Sequence, residues 1–186
     1  MAGILACGVR REPVSFVLVI ASLALAVLAF QANPAAARLQ ALAATCQAGR
    51  LEKCLESGRA HLQAHDPEGA LGPYARACTG GIAEACLGLA SRYAGLAQKA
   101  HQDGDDAASA AHADRGLSLV RQAIKAKPNL VEAVEYEAIL CRVRAGLRGK
   151  GDAEGWTARA REAAKRAEAL RAVMGPGESP DLFWKP

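Results

Sequence analysis

Residues 77–93, ACTGGIAEACLGLASRY, set two cysteines eight positions apart on either side of a Gly-Gly pair, in a stretch otherwise rich in helix formers. The same arrangement occurs 32 residues earlier as TCQAGRLEKC (45–54), where Cys46 and Cys54 flank Gly49. Superposing the cysteines also brings Gly49 onto Gly81, Glu52 onto Glu84, Leu55 onto Leu87 and His61 onto Tyr93. One such pair is unremarkable, but two in one register indicate a repeat. Helical-hairpin repeats recur at a period of about 34 residues. The fold class expected is therefore all-α, a solenoid of stacked antiparallel helical hairpins.

Working outward, the pattern beyond residue 37 stays helical. No alternation of strand type occurs, and Gly, Pro and Asp act as punctuation. Helices are predicted over about 34–48, 51–65, 67–78, 82–101, 105–127, 129–147 and 152–174, about seven in all. Asp66 is the expected cap of the third, with Pro67 at its first position, where a missing N–H costs nothing. Pro73 lies inside that helix and should kink it, because it cannot bond back to residue 69. Residues 94–116 exceed the length of a repeat, which predicts two helices extended by one or two turns. In the last helix Trp156, Ala160, Ala163, Ala167, Leu170 and Met174 form one apolar stripe with charged residues elsewhere, the pattern of a closing cap.

The first 37 residues differ in kind. Arg10 and Arg11 precede an uncharged apolar run over 13–30, followed by a small-residue exit containing Ala35 and Ala37. The run lies between a signal-peptide core and the ~20 residues that span a bilayer. A cleaved signal and a retained anchor both remain open, with a buried core helix as a third reading. Export to the periplasm, or an inner-membrane anchor with the repeats outside the cytoplasm, is expected. In an oxidising compartment paired cysteines form disulfides, whereas in the cytosol they would more often bind metal or stay reduced. Zinc would favour the C-x2-4-C spacing, which is absent.

The run DPEGALGPYARAC (66–78) followed by GGIAEACLGLASRY (80–93) reads D-x3-A-x3-Y-x2-A-C-x2-G-x3-A-C-x3-[AG]-x2-Y. This resembles the cysteine-carrying variety of the Sel-one-like repeat, found in exported bacterial cysteine-rich repeat proteins, over residues 45–93. Gly69, Gly72 and Pro73 depart from the helix formers that family prefers in the third helix. The resemblance implies the disulfides Cys46–Cys54 and Cys78–Cys86. Closing such small loops should stabilise by roughly 2–3 kcal/mol each. Residues 123–146 are similar to an ordinary tetratricopeptide repeat, with Ala123, Pro128 at the inter-repeat turn and Ala133. The organisation expected is thus 1–37 signal or anchor, 38–93 stapled repeats, 94–127 long helices, 128–174 tetratricopeptide-like repeat and cap, and 175–186 tail.

The composition is 51% apolar but only 4% aromatic, so alanine and leucine must do the packing. Setting aside Arg10, Arg11 and Glu12 with the first 37 residues leaves 21 basic against 18 acidic side chains. That balance does not suggest a nucleic-acid protein. No GxSxG, SxxK or phosphate-cradling glycine loop occurs, and no cofactor is expected. His61 and His65, one helical turn apart, are a candidate metal pair, set against the plainer reading of solvated side chains at a helix C-terminus. Cys141 reads as a small buried hydrophobe or, less simply, as a reactive thiol. Cys7 falls in the signal region.

Residues 141–171 hold nine basic side chains against four acidic ones. That excess suits a solvated face or an acidic partner, and Leu182, Phe183 and Trp184 either fold back or dock elsewhere. The function expected is a non-catalytic scaffold binding a protein or peptide, with Glu56, Arg59, Gln63, Ser91, Arg92, Glu135 and Arg142 on first helices choosing the ligand. A β-lactamase-like or penicillin-binding activity is the alternative the resemblance implies, and metal binding in the envelope is a third. Membrane attachment through residues 13–30 would follow if that run is retained.

Overall fold

The computed structural model describes residues 34–147 and 152–174. The readings for the 13–30 apolar run, Cys7, Arg148, Lys150 and the Leu182-Phe183-Trp184 tail lie outside these residues. The chain divides into two compact units, 1–38 and 39–186. Among the described residues there are seven α-helices and no strand: α1 (Pro34–Gln47), α2 (Leu51–Gln63), α3 (Pro67–Thr79), α4 (Ala83–Gln102), α5 (Asp106–Ala126), α6 (Val131–Gly146) and α7 (Ala153–Met174). The fold is all-α, and α4 and α5 exceed α2 and α3 by about two turns.

The extensive packing is within α2/α3, α4/α5 and α6/α7, which are the hairpins. Helix α4 also packs on α3 and α6, and α5 on α6. Most of the core is built from alanines, leucines and the paired cysteines. Tyr74 is the largest fully buried side chain. Its ring is seated between two helical glycines: a Cβ on Gly58 of α2 would come 2.7 Å from one ring edge, and one on Gly88 of α4 would come 3.1 Å from the other. In a chain so poor in aromatics, two missing side chains create the seat for its central ring.

Four successive turns share one construction. After α1, α2, α3 and α4 the chain makes paired 6→1 and 5→2 backbone bonds, as in Arg50 N–H to Thr45 O at 3.3 Å with Gly49 N–H to Cys46 O at 3.0 Å. One residue in the left-handed region makes this closure possible. Gly49, Gly81 and Gly104 fill it with φ of 88°, 91° and 79°, and His65 fills it after α2 with φ of 57°. Helix α2 therefore ends at Gln63 and not at His65, which corrects the predicted boundary.

The following residue serves as the cap of the next helix, and here the turns separate into two kinds. Asp66, Asp105 and Asp152 open the second helix of each hairpin, each accepting the N–H three residues on at 2.7–2.9 Å. Arg50, Ile82 and Leu130 open the first helices with no side-chain cap. At the first two of these junctions a disulfide joins the helices. Cys46–Cys54 and Cys78–Cys86 have Cα–Cα distances of 4.5 and 4.6 Å in the same register across their turns. At the third, Leu130 is buried and Lys127 Nζ reaches Glu84 Oε1 at 2.8 Å. Two disulfides point to an oxidising environment, extracellular or periplasmic. No helix among the described residues is long and apolar enough to cross a membrane.

Helix α3 runs through Pro73 as one element. In α7, Ala160, Ala163 and Ala167 are buried and Trp156 and Leu170 half-buried, while Met174 is exposed, so the apolar stripe ends one turn earlier than its sequence spacing predicts.

Candidate partner-binding face

The first helix of each hairpin contributes to one row. Helices α2 and α4 meet at the Tyr74 ring, and α4 packs directly on α6. The seven residues expected to choose a ligand fall on this row with different surroundings. Gln63 and Arg142 are exposed. Glu56 is half-buried and paired with Lys53 at 2.7 Å, one turn back on α2. Arg92 of α4 reaches across to Glu68 of α3 at 2.6 Å, and Glu135 of α6 is paired with Arg171 of α7. These cross-helix pairs hold neighbouring helices and present only part of each charge to solvent.

Ser91 is 5% exposed, so its expected role as an exposed selector is corrected. The reason is topological: α4 packs on α3, α5 and α6, which leaves little of its surface free. Arg59 is half-buried, and its Nε is buried without a hydrogen-bond partner among the described residues. Its charge is felt by two groups, Tyr74 and Glu84. Burial pushes the Tyr74 phenol up to about 12, with Arg59 opposing the shift. The Lys127 ammonium holds the Glu84 carboxyl below its ordinary value despite partial burial. Burial likewise raises the Tyr136 phenol, opposed by a hydrogen bond with Ser91. None of Tyr74, Glu84 and Tyr136 stood out as a site residue in the sequence. Tyr74 stands in the repeat pattern and Glu84 recurs from Glu52, and those are the signals that could have marked these two.

At the opposite end of the row Trp156 of α7 lies against two guanidinium groups, Arg144 at 5.1 Å and Arg159 at 4.9 Å from its ring centroid. Arg144 is further held by Asp114 at 3.1 Å, and Arg166 by Glu137 at 2.6 Å. The basic excess of 141–171 is thereby partly neutralised by acids of α5 and α6. Among the described residues Val173 and Met174 are the exposed large hydrophobic side chains, so the row carries no large apolar patch.

The two histidines occupy different surroundings. His61 Nδ1 lies 2.8 Å from Asp66 Oδ2, and His65 is outside the helix on the left-handed turn position. Asp66 is held low first by the Gly69 N–H and then by His61, which makes this trio a helix cap. No group of three or more metal-ligating side chains occurs among the described residues. Cys141 is buried and unbridged, and burial pushes its thiol up, away from the reactive thiolate. The chain matches no protein-family model, no curated protein and no solved structure.

Proposed function

We propose that this chain is a non-catalytic scaffold that binds a protein or an extended peptide along the row formed by α2, α4 and α6. The observation that carries the reading is that first helices adjoin across hairpins: α4 packs directly on α6, and α2 and α4 face the two edges of the Tyr74 ring. A row that carries no large apolar patch favours a partner held by backbone and polar contacts over one that inserts apolar anchors. Gln63, Arg59 and Arg142 are the side chains best placed to make those contacts, and Ser91 is not among them. The repeated junction register of Cys46–Cys54 and Cys78–Cys86 supports grouping the chain with Sel-one-like cysteine repeats.

The proposal extends to location. The disulfides support an extracytoplasmic compartment, and residues 13–30 would direct export and, where retained, anchor the repeats at the membrane. A site-specific photocrosslinker at Gln63 or Arg142, compared with one at Arg115 or Arg121 on exposed positions of α5, tests the reading in intact envelopes. Discrete adducts from the first-helix positions alone are expected. Equal or absent adducts from both sets would refute a first-helix binding row.

A further inference from the structure

We infer that Cys46–Cys54 is a thiol–disulfide exchange site that controls the orientation of α1 on the repeat body, while Cys78–Cys86 is a structural bond closed to exchange in the native state. The two bonds are covalently equivalent. Each closes a loop of the same sequence separation, 8, in the same register. Their cysteines are all buried, at 4% and 0% exposed for the first pair and 6% and 1% for the second. Neither loop length nor static exposure therefore distinguishes them.

What distinguishes them is the helix on the N-terminal side of each bond. Cys78 belongs to α3, which packs along both α2 and α4 and carries buried Ala70, Tyr74 and Ala77. Cys46 belongs to α1, which among the described residues packs extensively along no other helix and buries Leu42 and Cys46. Arg76 of α3 reaches the Cys46 carbonyl at 3.5 Å, a long contact at the limit of a hydrogen bond. Local opening follows the number of buried apolar contacts that must break, so α1 opens at far smaller cost than α3. Opening of α1 exposes Cys46 while Cys54, fully buried on α2, remains in the body.

The reductant is a dithiol. Its thiolate attacks the Cys46 sulfur, the Cys46–Cys54 bond breaks, and the Cys54 sulfur leaves as a thiolate that takes up a proton. The second thiol of the reductant then displaces Cys46, which is protonated in turn. Two electrons pass from the dithiol to the protein, leaving two cysteine thiols and an oxidised, disulfide-bonded reductant. With the bond broken, α1 is held to the body by the 48–50 turn, buried Leu42 and the long Arg76 contact, and no covalent cross-link fixes the orientation of residues 39–47.

The test uses the oxidised full chain under native conditions, with dithiothreitol as the probe, timed quenching by iodoacetamide and peptide mass mapping. Cys46 and Cys54 should be alkylated at least about tenfold faster than Cys78 and Cys86, the ratio that about 1.4 kcal/mol of difference in opening gives. In the same samples amide exchange in α1 should rise while that of α3 and α4 stays as it was. Simultaneous reduction of both bonds, earlier reduction of Cys78–Cys86, or unchanged α1 exchange after the first bond opens would overturn the inference. As an independent check, the Cys46→Ser/Cys54→Ser variant should keep the exchange protection of α2–α7. Failure of that variant to fold would also overturn it.

Discussion

The turns after α2 and α4, inside hairpins, and those after α1 and α3, ahead of hairpins, are built on the same backbone and sealed by different chemistry. Inside, Asp66, Asp105 and Asp152 cap the second helix through a carboxylate oxygen. Between, Arg50, Ile82 and Leu130 provide no side-chain cap; a disulfide holds the first two junctions, and at 127–130 Leu130 is buried while Lys127 reaches back to Glu84 of its own hairpin. Long helix–helix contact already secures a hairpin, so a cap worth about 1 kcal/mol suffices there. Between hairpins the shared surface is smaller, as the sparser α3/α4 packing indicates, and a covalent constraint compensates. The third junction does without sulfur because α5 and α6 share more surface than α3 and α4.

Replacing Cys78 and Cys86 by serine should have the largest effect, lowering stability by about 2–4 kcal/mol in chemical denaturation, because the bond closes a loop whose ends lie in the core. The converse experiment moves a staple into a hairpin. Leu62 and Ala70 occupy, across the 64–66 turn, the positions the cysteines occupy across theirs, so Leu62→Cys with Ala70→Cys should oxidise spontaneously and add up to about 2–3 kcal/mol. Failure to oxidise would show that the shared hydrogen bonding conceals different turn geometries.

Gly58→Ala should cost about 1–3 kcal/mol in thermal or denaturant unfolding, although alanine favours a helix, because Gly88 on the far edge blocks retreat of the Tyr74 ring. Asp105→Ala should cost about 1 kcal/mol, measured the same way, through loss of the bond from Ala108 N–H.

The smallest effect belongs to the charge pair beside the sulfur-free junction, Lys127 with Glu84 of its own hairpin. Glu84 has its pKa depressed below the ordinary 4.5 by Lys127, so this pair stabilises the fold fully above the carboxylate range, and the contribution is lost as pH falls through the depressed value. Lys127→Met should therefore cost no more than about 1 kcal/mol near neutral pH. The difference from wild type should shrink on acidification below about pH 4. A difference that persists unchanged at low pH would mean that the Lys127 side chain acts through packing and not through the charge pair.

Much of the fold was legible because the punctuation coincides with the physics of helix ends. Gly49, Gly81 and Gly104 mark left-handed closures, and Asp66-Pro67 marks a capped start. The end of α2 was misread because a histidine occupies the position glycine takes elsewhere, and nothing local to His65 signals that conformation. The candidate face was less legible. Ser91 looked exposed because its periodicity cannot report that α4 is packed by three other helices. The Tyr74 seat depends on Gly58 and Gly88, thirty residues apart, meeting at one ring, which is a property of the assembled hairpins. The His61–Asp66 contact was not legible, because helix spacing does not show that one ring nitrogen turns to the cap.

The central claim is that disulfides hold the junctions ahead of the first two hairpins and leave the last junction to packing. Peptide mapping of the native protein, alkylated in denaturant without reduction, tests it most directly. The account predicts peptides linked as Cys46–Cys54 and Cys78–Cys86, with Cys141 carrying the alkyl label. Labels on all four paired cysteines, or a bond involving Cys141, would contradict it.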